Sequence, residues 1–277
     1  KTLEELCGIP VVGIVPFTKD ICIEEEDSVA LQNKHGKRSS GKVNIAVVLL
    51  NRLSNYTDFT VLEKNDRAHV FYSNNPAEIE QADIVVIPGS KNTIADLIDI
   101  KNNGVARAII HAHRQNKSVI GICGGYQMMG LTIEDPYHVE GDIECMPGLG
   151  LLPVKTILTQ QKITKQVQFR YKQHETICDG YEIHMGATQA VEKEAPVNVM
   201  TSGDNDGYCL TPSCWGTYIH GILDNEIVIH DLLSRSAKTP VSASFNYKAF
   251  KEQQYDLLAN HLRKYIDMDY VYKTLQH

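Results

Sequence analysis

The apolar and polar positions after residue 42 predict buried strands that alternate with helices. Residues 43–50 form a continuous apolar run rich in β-branched side chains, which is typical of a strand buried on both faces of a parallel sheet. Three shorter apolar runs predict further strands, at 69–73, 82–89 and 118–123. Residues 92–104 and 105–117 have helical spacing, and the first of them starts at a candidate cap and ends at Gly104. This alternation predicts an α/β fold with a doubly wound, mostly parallel sheet.

The two ends of the chain have different patterns. Residues 9–15 are apolar up to Pro16 and predict one buried strand. Residues 33–42 are polar, basic and rich in Gly and Ser, a composition that fits a linker or an ordinary surface loop. Segments between 148 and 223 predict strands that are partly antiparallel, and residues 246–275 predict one or two helices.

From these patterns we predict three parts. Residues 1–32 are expected to be the end of a preceding domain, 33–42 a linker, and 43–277 the main domain, with the C-terminal helices included. The chain starts with Lys, and its first apolar segment has no preceding segment to pair with. We therefore expect this sequence to be a fragment of a longer protein.

Composition narrows the possible functions. The net charge is −7, from 27 basic and 34 acidic residues, and no basic stripe indicates nucleic-acid binding. No apolar run approaches the roughly 20 residues that span a bilayer, and no signal peptide is visible, so no membrane association is expected. The seven Cys are scattered without CxxC pairs, which favours a cytoplasmic location. The eleven His show no zinc-ligand spacing, so no metal site is expected.

The strand predicted at 118–123 runs into the sequence GICGG, which has the form of a nucleophile elbow with Cys123 at its tip. Such a tight strand-to-helix turn requires small neighbours, and Gly121 and Gly125 satisfy this requirement. The helix that follows would favour a thiolate, and the Gly124 N–H could donate to an oxyanion. A buried structural Cys before a glycine-rich turn is the alternative.

Because of this elbow, two further segments are interpreted as parts of the same site. The strand predicted at 82–89 ends in Pro-Gly-Ser, so Gly89 and Ser90 could present a second oxyanion donor at the carboxyl edge of the sheet. His220 ends a short apolar strand and could act as a base for Cys123. Alone, the first segment would be a plain turn and the second a structural histidine.

Together these segments resemble the triad-type glutamine amidotransferases and, within them, the cobyric acid synthase family. The resemblance covers nearly the whole chain and rests on the following strings: GIPVVGIVPF, EEDSVAL, NRLSNYTDF, IPGSKNTIADL, GICGGYQMMG, GLGLLPV, GYEIHMG, GTYIHGILDN and YDLLANHLRKYIDMD. It implies a flavodoxin-like fold. It also implies that Cys123 and His220 are the catalytic pair, with Gly89, Ser90, Gly124 and Gln127 at the oxyanion or substrate.

The resemblance also implies the reaction of the whole enzyme. Glutamine is hydrolysed in this part, and the ammonia is used to amidate side-chain carboxylates of a corrin ring, adenosylcobyrinic acid a,c-diamide, giving cobyric acid. ATP and Mg²⁺ are expected only in an N-terminal synthetase domain, since no GxxxxGK[ST] phosphate loop occurs in the 277 residues. No cofactor is expected in this chain.

One position departs from the wider amidotransferase pattern. The common third catalytic residue is a Glu two residues after the His, and that position here is Ile222. Glu182 and Asp224 are candidates for the third residue, although we favour a structural or corrin-side contact for Glu182. The open alternatives for the chain are an amidotransferase subunit for a peptidoglycan precursor, a cysteine peptidase of the same fold, and a non-catalytic regulatory domain.

Overall fold

The computed structural model describes residues 2–23, 38–193, 195–236 and 246–275. The string EEDSVAL and the first half of the predicted linker lie outside these residues. Contacts divide the chain into two compact units, Lys1–Glu25 with Asn246–His277, and Glu26–Phe245. This division differs from the predicted boundaries, because the C-terminal helices group with the N-terminal segment and not with residues 43–245.

The described residues contain nine helices and fifteen strands, which we number in chain order. The helices are α1 (Thr2–Cys7), α2 (Thr60–Glu63), α3 (Pro76–Gln81), α4 (Thr93–Asn102), α5 (Val105–Arg114), α6 (Gly124–Met129), α7 (Glu226–Ser236), α8 (Tyr247–Tyr265) and α9 (Met268–Leu275). The strands are β1 (Val43–Val48), β2 (Leu53–Ser54), β3 (Ala68–Ser73), β4 (Ile84–Ile87), β5 (Gly89–Ser90), β6 (Ser118–Ile122), β7 (Thr132–Glu134), β8 (Cys145–Pro147), β9 (Val154–Tyr171), β10 (Ile177–Ala190), β11 (Asn198–Met200), β12 (Asn205–Asp206), β13 (Tyr208–Thr211), β14 (Cys214–Thr217) and β15 (Ile219–His220).

The larger unit is built on a six-stranded sheet with the order β13-β14-β6-β4-β1-β3. All neighbours are parallel except β13 and β14, which are antiparallel. The four strands predicted between 43 and 123 are all present, and β1, β4 and β6 are buried along their whole length. The predicted α/β class with a mostly parallel sheet is therefore confirmed. The strand β14 is also parallel in this sheet, whereas its sequence suggested only a partly antiparallel region.

Local sequence explains where the helices begin. The Asn92 side chain caps α4 by accepting a 2.8 Å hydrogen bond from the Ala95 N–H. Gly104 separates α4 from α5 and has φ of 88°, a conformation that favours glycine. Both helices predicted from the spacing after residue 92 are therefore confirmed, and together they connect β5 to β6.

A second sheet has the order β12-β11-β9-β10-β15 and is built around a long antiparallel hairpin of β9 and β10. The register of this hairpin shifts between Met185 and Ala187, so β10 bends at Gly186, whose φ is 124°. The short strand β15 pairs with β10 through Tyr181 and His220. The second sheet therefore presents His220 beside the hairpin, directly after β14 of the first sheet.

The smaller unit contains α1, α8 and α9. The confirmed helices α8 and α9 cover the region where the sequence predicted one or two helices. The buried strand predicted at 9–15 is wrong: this segment makes one isolated bridge, from Gly13 to Ile266, and Ile9 and Ile14 are 68% and 83% exposed. Its apolar character suggested burial, but no strand in the described residues pairs along its length.

Candidate active site

The turn from β6 into α6 holds Cys123 in a strained backbone conformation. Its φ of 52° and ψ of −111° are unusual for a residue with a side chain. The flanking glycines permit this turn. A Cβ on Gly125 would lie 1.9 Å from the Ile87 carbonyl oxygen, and one on Gly121 would lie 2.7 Å from the Gly125 carbonyl carbon. The geometry is that of a nucleophile elbow at the carboxyl end of β6, as the sequence predicts.

The predicted oxyanion loop lies directly against the elbow. A Cβ on Gly124 would be 3.0 Å from the Ser90 backbone nitrogen, so the start of α6 and the strand β5 approach closely. Strand β5 pairs with β2 and thereby holds the Gly89–Ser90 backbone in place. The Ser90 hydroxyl donates to the buried Asp96 carboxylate at 2.6 Å, which also anchors this loop. Gly124 and Ser90 therefore come together as a pair of candidate donors.

His220 is fully buried beside the same loop. A Cβ on Gly89 would lie 3.4 Å from the His220 Cε1 atom. The Tyr181 ring stacks on the imidazole, with centroids 5.3 Å apart and an interplanar angle of 20°. The Nε2 atom makes no hydrogen bond of standard geometry, while the Cys123 thiol is close enough to stabilise the charged imidazolium. The structure thus brings the predicted nucleophile and the predicted base together.

The third member of this cluster is Asp58, which the sequence analysis missed. Its Oδ2 atom is 2.7 Å from His220 Nδ1, and its Oδ1 atom accepts a 2.9 Å hydrogen bond from the Gly221 N–H. Burial lowers the pKa of His220, but the charge and hydrogen bond of Asp58, with a smaller effect of Cys123, outweigh burial and raise this pKa to about 10. The only sequence signal was the position of Asp58 inside NRLSNYTDF, one of the strings that support the resemblance.

The two carboxylates suggested as third residues are placed differently. Glu182 is ion-paired with Lys165, with 2.8 Å between Oε2 and Nζ, although this contact lacks hydrogen-bond geometry. It faces a cavity of about 550 Å³ that Lys165 and His184 also line. Asp224 lies in the 3₁₀ turn Ile222–Asp224 after the histidine. Asp58 occupies the Nδ1 side of His220, so Glu182 is not the orienting residue that the sequence suggested as a candidate. The ion pair of Glu182 with Lys165 agrees with the structural role that we favoured for it from the sequence.

The Gln127 side chain makes its hydrogen bonds to other residues of the protein. Its Nε2 donates to the Met185 carbonyl oxygen and to the Tyr218 hydroxyl, both at 3.1 Å, and its Oε1 accepts from the Thr93 hydroxyl at 3.1 Å. This buried amide therefore ties α6 to α4 and β10. The expected direct contact of Gln127 with substrate stays a prediction, since these three bonds already use most of its hydrogen-bonding capacity.

The electrostatic arrangement of the site suits acyl transfer to a thiol. The residue Cys123 is 8% exposed, and its thiol contacts the Ile183 carbonyl oxygen at 3.6 Å, so the nucleophile is largely shielded from solvent. An imidazole beside it, oriented by a buried carboxylate, can accept the proton of the thiol and, once charged, donate it to a leaving group. Two backbone N–H groups on facing loops can stabilise a developing oxyanion. Among the described residues, no group of three or more His, Cys, Asp or Glu could hold a metal ion.

Comparison with known families gives a consistent result. Residues 44–228 match the CobB/CobQ-like glutamine amidotransferase domain family. A cobyric acid synthase from Bacteroides fragilis is 54% identical over 277 residues, which are 99% of this chain and 56% of that protein. The cobyric acid synthases of Parabacteroides distasonis and Citrobacter koseri are 51% and 37% identical. The chain therefore spans a little over half the length of these curated relatives.

Solved structures support the fold. A chain of the PurLQS structure from Thermotoga maritima superposes with a TM-score of 0.54 at 15% identity, covering 70% of this chain and 99% of that chain. A crystal structure described as a glutamine amidotransferase gives a TM-score of 0.53 at 10% identity. At these identities the likeness shows the fold alone. No helix within the described residues is long and apolar enough to cross a membrane.

Proposed function

The chain belongs to the CobB/CobQ-like glutamine amidotransferase family, and we propose that its glutamine hydrolysis is performed by Cys123 as nucleophile and His220 as base. The observation that supports this assignment most strongly is the meeting of the strained elbow with the buried histidine. These two residues are 97 positions apart in sequence, yet the Cys123 thiol is close enough to His220 to contribute to the raised pKa of the imidazole. The enzyme class itself follows from family membership.

The proposed reaction has two steps that share one oxyanion site. His220 takes the thiol proton, and the Cys123 sulfur attacks the side-chain amide carbon of glutamine. Backbone N–H groups of Gly124 and Ser90 stabilise the tetrahedral oxyanion, an effect worth about 3–4 kcal/mol per donor. The imidazolium protonates the departing nitrogen, so that ammonia leaves and a thioester remains.

Hydrolysis of the thioester completes the cycle. His220, again neutral after protonating the ammonia, removes a proton from water. The resulting hydroxide attacks the thioester carbon, and the same donors hold the second oxyanion. Glutamate then leaves, and the proton on His220 returns to the thiolate. General acid–base catalysis of this kind contributes about 10²–10⁴-fold in rate.

The use of the ammonia is also part of the proposal. We assign it to amidation of corrin side-chain carboxylates, from adenosylcobyrinic acid a,c-diamide to cobyric acid, because the curated relatives of highest identity given above are cobyric acid synthases. ATP, Mg²⁺ and the corrin would then be bound by a synthetase domain of the intact protein. A peptidoglycan-amidating function, a peptidase and a regulatory domain have no supporting observation among the relatives.

The intact protein that contains this chain provides the test. Cys123→Ala should abolish amidation of the corrin with glutamine as nitrogen donor. Amidation with an added ammonium salt should survive, since carboxylate activation by ATP takes place elsewhere. Loss of both reactions in a folded variant would show that Cys123 has another role, and unchanged use of glutamine would contradict the nucleophile assignment.

A further inference from the structure

A short segment ahead of the first helix of the main domain, residues 53–58, contacts the candidate base and the candidate oxyanion loop at once. We infer that Asp58 is the residue that positions His220 for proton transfer, and that the segment 53–58 holds base and oxyanion donors in a common frame. This inference rests on the proposed roles of Cys123 and His220. In the wider amidotransferase class, a Glu two residues after the His is the third catalytic residue. That position here is the buried Ile222, so Asp58 would provide the orienting carboxylate instead.

The contacts of Asp58 are those of an orienting carboxylate. The side chain is 4% exposed, and each of its two oxygens has a separate partner: His220 Nδ1 at 2.7 Å and the Gly221 N–H at 2.9 Å. A carboxylate accepts hydrogen bonds only, so Nδ1 must bear the proton and Nε2 must be the atom that faces the thiol. The second bond holds the backbone just after the histidine at a fixed distance from the same carboxylate.

The same segment also reaches the oxyanion loop. Leu53 and Ser54 pair with Ser90 and Gly89 as the strands β2 and β5. The pairing is close, because a Cβ on Gly89 would lie 2.9 Å from the Ser54 hydroxyl oxygen. A displacement of this segment would therefore move the Ser90 donor and the carboxylate on His220 together.

A third contact completes the frame. Asn55 adopts a left-handed conformation, with φ of 53°, and donates from Nδ2 to the Tyr181 hydroxyl at 2.9 Å. The Tyr181 ring stacks on the face of His220. Asp58 therefore binds one edge of the imidazole, and Asn55, three residues earlier, binds the tyrosine that stacks on one face. This concentration of contacts distinguishes a positioning role from ordinary core packing.

Asp58→Asn is the decisive variant in the intact protein. It keeps the size of the side chain but removes the charge and can reverse the tautomer of His220. We expect kcat for glutamate release to fall by roughly 10²–10⁴-fold, with KM for glutamine nearly unchanged because both oxygens of Asp58 are bound to His220 and the Gly221 N–H and are not expected to contact substrate. Asp58→Glu retains the carboxylate and should recover part of the loss.

Asp135→Asn is the matched control. Asp135 is equally buried and accepts two backbone N–H bonds, from Val139 and Glu140, but it lies outside the candidate site. A kcat for Asp58→Asn within about threefold of this control would overturn the inference, as would equal activity of Asp58→Asn and Asp58→Glu. Inactivity of the wild type itself, with no labelling of Cys123, would instead refute the proposed function.

A measurement on the wild type covers the case in which Asp58→Asn does not fold. A ring N–H that donates to a buried carboxylate gives a strongly deshielded proton resonance, and ¹⁵N labelling of histidine assigns it to Nδ1. We expect this resonance in the wild type and its loss in His220→Gln. A His220 protonated only on Nε2 at neutral pH would refute the positioning role.

Discussion

Adding one methyl group at the start of α6 tests the oxyanion assignment. In Gly124→Ala the new Cβ would lie 3.0 Å from the Ser90 nitrogen and 3.1 Å from the Thr93 hydroxyl. Ordinary contacts begin at 3.4 Å, so these neighbours must move by a few tenths of an ångström. A shift of that size is small for packing but large for a hydrogen bond aimed at an oxyanion. The methyl group would also occupy space between the two proposed donors.

The expected result is loss of rate with little loss of stability. If the Ser90 donor is lost, kcat for glutamate release should fall by about 10²–10³-fold, equivalent to roughly 2.7–4 kcal/mol of transition-state stabilisation. The free energy of unfolding should change by less than about 1.5 kcal/mol, because the strain is partly offset by the better helix propensity of alanine.

Glutamate release and urea unfolding, measured on the same preparation, check this prediction. The informative quantity is the ratio of the loss in rate to the loss in stability. A variant with the wild-type kcat would show that Ser90 does not donate to the oxyanion. If the free energy of unfolding fell by as much as the transition-state stabilisation, the methyl group would disrupt the elbow as a whole.

Three further predictions concern the elbow, the base and the thiol. Gly125→Ala places a Cβ 1.9 Å from the Ile87 carbonyl oxygen and should lower the free energy of unfolding by about 3 kcal/mol or more, whereas Gly124→Ala should mainly lower the rate. A smaller loss in urea unfolding would show that β4 and α6 separate easily. Because the pKa of His220 is raised to about 10, the stability it contributes is fully present below about pH 6.5 and is lost as the pH rises through 10, at up to about 1.4 kcal/mol per pH unit. Urea unfolding between pH 7 and 10 should show this decline in the wild type, and an equal slope in His220→Gln would contradict it. A diazo-ketone analogue of glutamine should label Cys123 before the exposed Cys7, Cys22 and Cys145, as measured by peptide mass spectrometry; preferential labelling of an exposed cysteine would oppose the proposed nucleophile.

Local patterns in the sequence were enough to predict the buried strands and the elbow. Continuous β-branched runs predicted the parallel strands β1, β4 and β6, since burial on both faces removes polar alternation. The elbow around Cys123 was visible because a tight turn between strand and helix tolerates only glycine at 121 and 125, and the approach of Ile87 shows the reason. These features are local, so neighbouring residues were enough to reveal them.

Features that depend on which distant segments meet in space could not be predicted from these patterns. The apolar run at 9–15 has the composition of a buried strand, yet burial requires pairing partners that the described residues do not provide along its length. The carboxylate beside His220 is Asp58, 162 residues away in sequence. The candidates nearer to the histidine were Glu182, which pairs with Lys165, and Asp224. A hydrogen bond across the fold leaves no periodicity in sequence, because it is produced by the packing of the 3₁₀ turn Tyr56–Phe59 against the end of β15 and not by any local preference.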